Sequence, residues 1–253
     1  MRLSDFIAGW AALAVVMTGA WSVQRVAGVS GWIDAIWTFG VGAAGAGLAL
    51  SLGGASWRAG LVAALSLAWA LRLGGHIVRR TLKSGDDPRY AKLMAEWGAA
   101  APRRLFGFLQ AQAAVGGVLA YCVGLAAAAS EPLRIQDALG FALALAALIG
   151  EAVADIQVAR FKADSAGKIC DVGLWSLSRH PNYVCEWLYW AAIALIALGP
   201  GGWPALAAPA IMYWTLRYAS GVPPLEAHML ATRGELFRAY QERTPIFFPW
   251  TRS

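Results

Sequence analysis

The hydrophobic residues of this chain fall in long blocks, separated by shorter segments that contain most of the charges. A helix of about 20 apolar residues crosses the roughly 30 Å of a membrane interior, because it rises about 1.5 Å per residue. The pattern therefore predicts an all-α polytopic membrane protein with seven transmembrane helices, or six if the last two blocks do not both span. The predicted spans are residues 5–24, 32–53, 59–78, 106–129, 135–157, 184–199 and 203–219.

Composition supports this interpretation. Hydrophobic residues make up 58% of the 253 residues and charged residues only 14%, whereas soluble domains carry about 25% charged residues. The chain has too few polar groups to cover a water-facing surface, so a soluble globular fold is excluded. The first block is interpreted as a retained helix rather than a signal peptide, because Arg2 and Asp5 precede it and no clean small-x-small cleavage site follows.

The basic residues are unevenly distributed between the two predicted sides of the membrane. With seven spans, most of the 21 Lys and Arg residues lie in the segments that follow the first, third, fifth and seventh helices. Cytoplasmic segments carry an excess of Lys and Arg, so we expect the N-terminus outside and the C-terminus in the cytoplasm. This sorting by itself accounts for the asymmetry of charge, although it does not account for the particular residues that share the basic side.

Two of the polar segments are predicted to contain helices of their own. A turn at Gly85–Pro88 precedes an amphipathic helix over Tyr90–Trp97. The apolar face of this helix, expected to lie toward lipid, consists of Leu93, Met94 and Trp97. Near the C-terminus, periodicity predicts one helix over about 223–242. The apolar stretch "TPIFFPW" that follows is expected to fold back onto the helices or the membrane interface.

Motifs of metal sites and of soluble nucleotide-binding folds do not occur in the sequence. The three cysteines have no C-x-x-C spacing, and the three histidines form no zinc-type pattern. There is also no G-x-G-x-x-G, P-loop or nucleophile elbow. We therefore expect no metal site, no soluble Rossmann domain and no nucleic-acid partner.

Ionisable residues within membrane spans are costly, and this makes them candidates for function. The candidates here are Asp34, Arg72, Glu151, Asp155 and Glu186. Glu151 and Asp155 are four residues apart, as are Asn182 and Glu186, so each pair lies on one face of its helix. Only the segment 163–178 separates the two helices, and we expect their polar faces to converge near the cytoplasmic side.

Basic residues surround these two polar faces and suit a ligand with phosphate groups. The set comprises Arg79, Arg80, Arg160, Lys162, Lys168 and Arg179. Pro181 is expected to begin a helix whose free N–H groups would also face an anion. We expect Arg179 and His180 to contact phosphates, with Asn182 and the carboxylates on ribose hydroxyls or an amide. The alternative for any single cation is an interfacial side chain that reaches the headgroups.

The segment "GWIDAIW" places a carboxylate, Asp34, in an apolar helix start between Trp32 and Trp37. Asp34 could donate a hydrogen bond to a substrate oxygen, or it could be a helix-start carboxylate or a partner of Arg72. His76, at the end of the third span, could contact substrate or cofactor, or it could be an ordinary interfacial histidine. Asp34 and His76 are the candidate catalytic residues, and the two tryptophans are candidate substrate contacts.

Several stretches together resemble the bacterial membrane proteins of the steroid 5-alpha-reductase-like family, which is related to the 3-oxo-5-alpha-steroid 4-dehydrogenases. They are "GWIDAIW", "LRLGGHIVRRTLKSGDDPRY", "EAVADIQVARFKAD", "GLWSLSRHPNYVCEWLYW" and "EAHMLATRGELFRAYQERTPIFFPW". Their occurrence in this order covers nearly the whole chain and is specific. The R-H-P-x-Y motif alone is not, because it also occurs in membrane methyltransferases related to isoprenylcysteine carboxyl methyltransferase.

The resemblance implies one seven-helix membrane domain over 1–253, with substrate-side helices in about 1–78 and a cofactor-side part in about 79–253. It also implies that NADPH binds at the cytoplasmic ends of the later helices. The motif positions that contact the cofactor in this family correspond to Arg80, Asp155, Lys162, Asn182, Glu186 and Tyr240. The same site, extended along 155–168, 179–186 and 240–243, includes Arg160, Lys168, Arg179, His180, Tyr183 and Arg243.

One departure from the family pattern concerns the substrate. Steroid reductases carry a tyrosine three residues before the arginine that corresponds to Arg80, and here that position is Ile77. We therefore expect NADPH-dependent reduction of the activated C=C bond of a lipophilic α,β-unsaturated carbonyl compound, without assuming a steroid. The expected location is the bacterial cytoplasmic membrane. The alternatives are an S-adenosylmethionine-dependent methyltransferase that acts on a lipid or prenyl-thiol, and a non-catalytic protein that binds lipid or nucleotide.

Overall fold

The computed structural model describes residues 3–53, 56–128, 132, 134–165 and 167–248, and every regular element within these ranges is helical. The ten α-helices are α1 (Leu3–Ala27), α2 (Trp32–Gly53), α3 (Trp57–Ser84), α4 (Pro88–Trp97), α5 (Ala101–Ala127), α6 (Ile135–Asp164), α7 (Pro181–Ala197), α8 (Ala207–Trp214), α9 (Val222–Arg233) and α10 (Glu235–Arg243). The predicted all-α class is therefore confirmed. Short 3₁₀ turns precede α5, α7 and α8, and a π-helical turn, Thr215–Ala219, follows α8.

Within the described ranges, five stretches are long and apolar enough to cross a membrane: α1, α2, α3, α5 together with the preceding α4, and α6. The protein is thus a multi-pass membrane protein by the length and composition of its helices. The last two predicted spans also form helical elements, but these are shorter. Helix α7 has 17 residues, and residues 203–219 combine a 3₁₀ turn, α8 and the π-helical turn.

The chain divides into two compact units, which we describe separately. The first unit contains Met1–Arg134 and Ile193–Ala208, and the second contains Ile135–Ala192 and Pro209–Ser253. In the first unit, α2 packs closely on α3 because small residues line the contact: a Cβ on Gly42 would lie 2.2 Å from the Cβ of Ala70. The hydroxyl of Ser66 donates to the carbonyl of Gly42 across the same contact, at 3.0 Å.

Hydrogen bonds join the segments that connect the helices of the first unit, and they do so in two separate groups. The N–H and hydroxyl of Ser30, between α1 and α2, donate to Asp86, just after α3, at 2.8 and 2.9 Å. At other termini, the Arg134 guanidinium donates to the carbonyls of Ile196 and Leu198, each at 2.7 Å. The Arg134 bonds pair carbonyls at the end of α7 that would otherwise lack a partner.

Helix α4 forms at the predicted position, but its apolar face is directed differently from the prediction. The Tyr90 and Trp97 rings pack on Phe108 of α5, with centroids 6.2 and 6.3 Å apart. The sulfur of Met94 accepts from the Gln24 amide of α1 at 3.5 Å. The prediction that this face lies toward lipid is therefore wrong, because neighbouring helices of the same unit offer it apolar partners.

The predicted C-terminal helix is two helices. Helix α9 ends at Arg233, Gly234 follows with φ of 50°, and α10 begins at Glu235. A left-handed residue ends an α-helix, and glycine adopts that conformation without the steric cost of a Cβ. Periodicity alone did not reveal this break, because apolar residues continue at helical spacing on both sides of it.

Candidate functional site

Among the residues that the structure describes, each unit contains a cluster of paired polar side chains. We name the first the Asp34 cluster, which consists of Asp34, Arg80, Asp87, Arg89, Tyr90 and Gln112. We name the second the Glu226 cluster, which consists of Arg179, His180, Glu226, Gln241 and the Thr244 carbonyl. A groove lined by polar and apolar side chains lies in the second unit as well.

The Asp34 cluster forms where the first turn of α2 meets α4. The Tyr90 hydroxyl donates to one oxygen of Asp34 at 2.7 Å, and the Arg89 guanidinium donates to the other. The Gln112 amide of α5 donates to the Tyr90 hydroxyl at 3.0 Å. The Trp37 indole donates to the Gln112 carbonyl at 2.9 Å. Both oxygens of Asp34 thus accept hydrogen bonds, so Asp34 is a paired carboxylate in this arrangement.

Asp87 joins this cluster to the start of α4, where it is the N-cap residue. One of its oxygens accepts from the Arg89 N–H at 2.9 Å, and the other accepts from Arg80 at 2.9 Å and from Arg89 at 2.8 Å. Burial would raise the pKa of Asp87, but hydrogen bonds and attraction from Arg89 lower it below its ordinary value. Two arginines and two aspartates therefore balance one another here.

The other predicted residues of the first unit lie on α2 and α3. Asp34 pairs with Arg89 and not with Arg72, which was one of the possibilities that the sequence left open. Trp32 is half-buried on α2, and His76 is exposed on α3. Ile77 of α3 is buried. Arg80, expected at the cofactor, pairs with Asp87.

In the second unit, three contacts hold the 3₁₀ turn Gly173–Ser176 that leads to α7. The backbone N–H of Leu174 donates to the Gln157 side chain of α6 at 3.0 Å, and the Trp175 indole donates to the carbonyl of Ala154 at 2.9 Å. The Tyr240 hydroxyl of α10 donates to the carbonyl of Trp175 at 2.5 Å. Tyr240 is buried, and burial raises the pKa of its hydroxyl. Its visible role is thus to anchor the approach to α7.

The Glu226 cluster joins the start of α7 to α9 and α10. One oxygen of Glu226 accepts from Nε of Arg179 at 2.8 Å and faces Nε2 of His180 at 2.9 Å. The other accepts from the Gln241 amide at 2.7 Å. Arg179 Nη1 donates to the carbonyls of Gln241 and Thr244 at 3.0 and 2.7 Å. Arg179 and His180 are both buried.

Electrostatics in this cluster favour an ionised Glu226 beside a neutral His180. Burial would raise the pKa of Glu226, but hydrogen bonds from His180 and Arg179 lower it to about 2. Burial also lowers the pKa of His180, and the attraction of Glu226 does not restore it. The cluster therefore contains one cation, Arg179, and one anion, Glu226.

The groove of the second unit has a volume of about 370 Å³ and lies between the end of α6, the segment after it and α10. Its lining residues are Phe161, Ser165, Lys168, Ile169, Asp171, Leu236, Ala239 and Arg243. The Arg243 guanidinium pairs with Asp171. Half of the lining is thus apolar, and the other half offers charges and a hydroxyl.

Three cations near the groove in sequence, Arg160, Lys162 and Lys168, are exposed and make no ion pair with any described residue. The Asn182 side chain, half-buried at the start of α7, likewise makes no hydrogen bond within the described ranges. These four side chains belong to the same unit as the groove. They are available for a ligand in a way that Arg179 is not.

The remaining predicted cofactor residues also lie in the second unit. The Tyr183 ring stacks on the His180 ring, with centroids 5.5 Å apart. Glu186 is buried and accepts a hydrogen bond from the Trp190 indole at 2.9 Å. Asp155 is half-buried on α6. No three His, Cys, Asp or Glu of the described residues form a group that could hold a metal ion.

Sequence reasoning missed Glu226, Gln241 and Trp175 as residues that organise this site. Trp175 belongs to a quoted motif, but nothing in the motif shows that its indole binds the carbonyl of Ala154. Glu226 lies 47 positions from Arg179, on a helix whose polar residues have the spacing of an ordinary solvated face. The only signal that could have suggested Glu226 is the need of a buried Arg179 for an ion-pair partner.

Comparison with protein families gives one match. Residues 20–244 match the model of a family described as a protein of unknown function, DUF1295. The chain belongs to this family. No significant match was found among curated proteins or among solved structures.

Proposed function

We propose that this protein is a membrane-embedded reductase that uses NADPH to saturate the activated C=C bond of a lipophilic α,β-unsaturated carbonyl compound. NADPH supplies a hydride to the β-carbon, and a proton completes the addition at the α-carbon. The products are NADP⁺ and the saturated carbonyl compound. The family match describes no function, so the proposal rests on the site and on the resemblance of the motifs.

The observation that carries the proposal is the groove of the second unit together with its unpaired cations. Phe161, Ile169 and Leu236 offer an apolar surface to a flat ring, and Lys168 and Arg243 offer donors to phosphate oxygens. Arg160 and Lys162 have no carboxylate partner among the described residues, so their charge is not balanced internally. A dinucleotide with three phosphate groups would balance it.

The same charges favour NADPH over S-adenosylmethionine. S-adenosylmethionine carries a positive sulfonium and only one carboxylate, so a group of unpaired cations would oppose its binding more than support it. The side chain of Asn182, free among the described residues, suits a ribose hydroxyl or a carboxamide in either ligand. The cations therefore discriminate between the two functions, whereas the R-H-P-x-Y motif does not.

As the groups that handle the proton, we propose Tyr90 and Asp34. Ile77 offers no hydroxyl, so a donor must come from elsewhere in the chain. The Tyr90 hydroxyl and the Asp34 carboxylate, 2.7 Å apart, form a pair through which a proton can pass. The Asp34 side chain is 20% exposed, and it therefore remains accessible while Arg89 stabilises its charge.

We further propose seven spans, with the N-terminus outside and the C-terminus in the cytoplasm of a bacterial cell. The hydrogen bonds of Ser30 to Asp86 support a common end for the connections after α1 and α3. The contact of Arg134 with the carbonyl of Leu198 supports a common end for the connections after α5 and α7. Reporter fusions after residues 84, 134 and 243 would test this, since the first and third must report cytoplasm and the second must not.

Binding of NADPH to the purified protein in lipid nanodiscs tests the proposed function most directly. We expect binding that is detected by nicotinamide fluorescence and weakened roughly 10- to 100-fold by Lys168→Ala, because a charge-assisted contact with phosphate contributes roughly 1.5–3 kcal/mol. Arg238→Ala is the matched control, since Arg238 is an exposed cation on α10 that pairs with Glu235. Binding of S-adenosylmethionine but not NADPH would overturn the proposal.

Turnover tests the reaction itself. With a 3-oxo-Δ4-steroid or a simpler lipophilic enone in the nanodisc, oxidation of NADPH is followed by its absorbance. Asp34→Asn should abolish most of this turnover and leave the affinity for NADPH unchanged, because Asp34 does not line the groove. Loss of NADPH binding in Asp34→Asn would contradict this division of roles.

A further inference from the structure

His180 is held by contacts that determine which of its ring nitrogens carries a proton. The residue is 3% exposed. Its backbone N–H faces the Ser178 hydroxyl at 3.2 Å, and its carbonyl accepts the first hydrogen bond of α7, from Val184, at 3.1 Å. Its ring lies between Glu226, at 2.9 Å from Nε2, and the stacked ring of Tyr183. The imidazole therefore has a fixed orientation.

Glu226 can only accept a hydrogen bond, because it is an ionised carboxylate with a pKa lowered to about 2. The contact between its oxygen and Nε2 at 2.9 Å is a hydrogen bond only if Nε2 carries the proton. Since burial keeps His180 neutral, the other nitrogen, Nδ1, then carries a lone pair and no proton. Glu226 thus selects one tautomer of His180.

Nδ1 of His180 is buried and has no hydrogen-bond partner among the described residues. Buried polar atoms in native proteins are nearly always paired with a protein group, a water molecule or a ligand. A lone pair on Nδ1 repels phosphate oxygens and attracts a donor. This differs from the sequence-based expectation that His180 contacts phosphates.

We propose that Nδ1 of His180 accepts a hydrogen bond from a hydroxyl or amide donor of the ligand that binds at the start of α7, and that Glu226 positions the ring for this contact. The inference rests on the proposed function in taking NADPH as that ligand, whose ribose hydroxyls and carboxamide are such donors. In this proposal, His180 contacts the neutral part of the cofactor, and Lys168 and Arg243 of the groove contact its phosphates.

The tautomer is measured without any ligand by ¹⁵N NMR of histidine-labelled protein. The chain has three histidines, and His76→Gln and His228→Gln remove the signals of the two exposed ones. We expect the Nδ1 signal of His180 in the range of an unprotonated, pyridine-type nitrogen and the Nε2 signal in the protonated range. A proton on Nδ1 overturns the inference, whether or not any ligand binds.

The ligand contact is measured with His180→Gln, because the glutamine amide replaces Nε2 and its bond to Glu226 but offers no acceptor in place of Nδ1. We expect the Kd for NADPH to rise about tenfold, the usual effect of one lost hydrogen bond to a buried polar group. His228→Gln, on α9 with Glu226, should leave Kd unchanged. Thermal unfolding establishes that each variant is folded.

Glu226→Gln tests the positioning role, since its oxygen can still accept from Arg179 and His180. NADPH affinity close to that of the wild type is expected for Glu226→Gln, together with an unchanged tautomer, whereas Glu226→Ala should weaken binding and mix the two tautomers. Equal binding by Glu226→Ala and the wild type would exclude this role. It would show that the ring needs no carboxylate to hold its orientation.

The outcomes separate this inference from the proposed function. If the wild type binds NADPH and His180→Gln binds it equally well, the inference is overturned and the reductase proposal stands. If the wild type does not bind NADPH, the reductase proposal fails, and the same variants are then titrated with S-adenosylmethionine, which also carries ribose hydroxyls. If neither ligand moves the Nδ1 signal, Nδ1 is paired with an internal water only, and the inference is wrong.

Discussion

The two polar clusters have the same local arrangement but differ in how completely its polar atoms are paired. In each, an arginine and the ring residue that follows it in sequence hold one carboxylate from another helix: Arg89 and Tyr90 hold Asp34, and Arg179 and His180 hold Glu226. In the first cluster the ring hydroxyl has a second partner, Gln112. In the second, Nδ1 of His180 has none among the described residues.

The difference is that the ring residue of the first cluster has all its polar atoms paired, whereas the ring residue of the second has one nitrogen without a described partner. The ionic groups of the Asp34 cluster balance, and the Tyr90 hydroxyl has a donor and an acceptor. The Glu226 cluster also balances its charges, but it leaves one acceptor open and lies in the unit that contains the unpaired cations and the groove. Buried polar atoms are costly when unpaired, so an open acceptor indicates a partner beyond the described chain.

Among the changes that test this comparison, Glu226→Ala should have the largest effect on stability. It would leave buried Arg179 and His180 without their acceptor and should lower the free energy of unfolding by about 3–5 kcal/mol, as for other broken buried ion pairs. Thermal and denaturant unfolding in detergent would measure it. Glu235→Ala, which removes an exposed carboxylate of α10, should change stability by less than about 0.5 kcal/mol. Equal effects would mean that Glu226 is not a structural centre of the second unit.

A smaller loss of stability is expected from Asp34→Asn. The change removes a charge from the Asp34 cluster, but Arg89 keeps Asp87 as a partner and is about a third exposed. We therefore expect a loss of about 1–2 kcal/mol, below the value for Glu226→Ala. The same unfolding measurement provides the comparison. A loss as large as that of Glu226→Ala would show that the two carboxylates contribute equally to stability.

Tyr90→Phe and His180→Gln compare the two ring residues directly. Tyr90→Phe removes a hydroxyl that both donates and accepts, so it should cost about 1–2 kcal/mol of stability. His180→Gln keeps the donor to Glu226 and removes only an atom that has no described partner, so its cost without ligand should be below about 1 kcal/mol. If His180→Gln proved the more costly change, Nδ1 would already be paired inside the protein.

The smallest effect is expected when the pH is lowered from 7 to 5. The pKa of folded His180 lies below its ordinary value of 6.5, so the unfolded chain binds this proton first. Stability should therefore be fully present above pH 6.5 and decrease as the pH falls through that value, by about 1.4 kcal/mol per unit of pKa difference at most. Below pH 4.5, protonation of Glu226, whose folded pKa is about 2, adds a second decrease. The melting temperature of the wild type should thus fall between pH 7 and 5 by more than that of His180→Gln.

Much of the fold followed from the sequence, because lipid imposes a simple rule on it. A segment that crosses a membrane must satisfy its own backbone hydrogen bonds and expose apolar side chains, so hydropathy indicates α1, α2, α3, α5 and α6. The interruption at Gly234 and the direction of the α4 face did not follow. Both depend on local backbone conformation and on neighbouring helices, which periodicity does not encode.

Several residues that the sequence singled out for a cofactor lie in the second unit. Lys168 and Arg243 both line the groove, and Asn182, Tyr183 and Glu186 lie together at the start of α7. The sequence did not distinguish cations that are free from cations that are paired. Arg179 and Arg80 belong to the same basic set as Lys168, yet each has a carboxylate partner.

By itself, then, the sequence determined that the protein is helical, that it lies in a membrane, and which short motifs contain its polar residues, since these properties depend on local composition and spacing. Tertiary structure alone decided which charges are cancelled and which atom of His180 remains open. That decision depends on Glu226, 46 positions away along the chain. No local pattern encodes such a contact, because it exists only once the helices have packed.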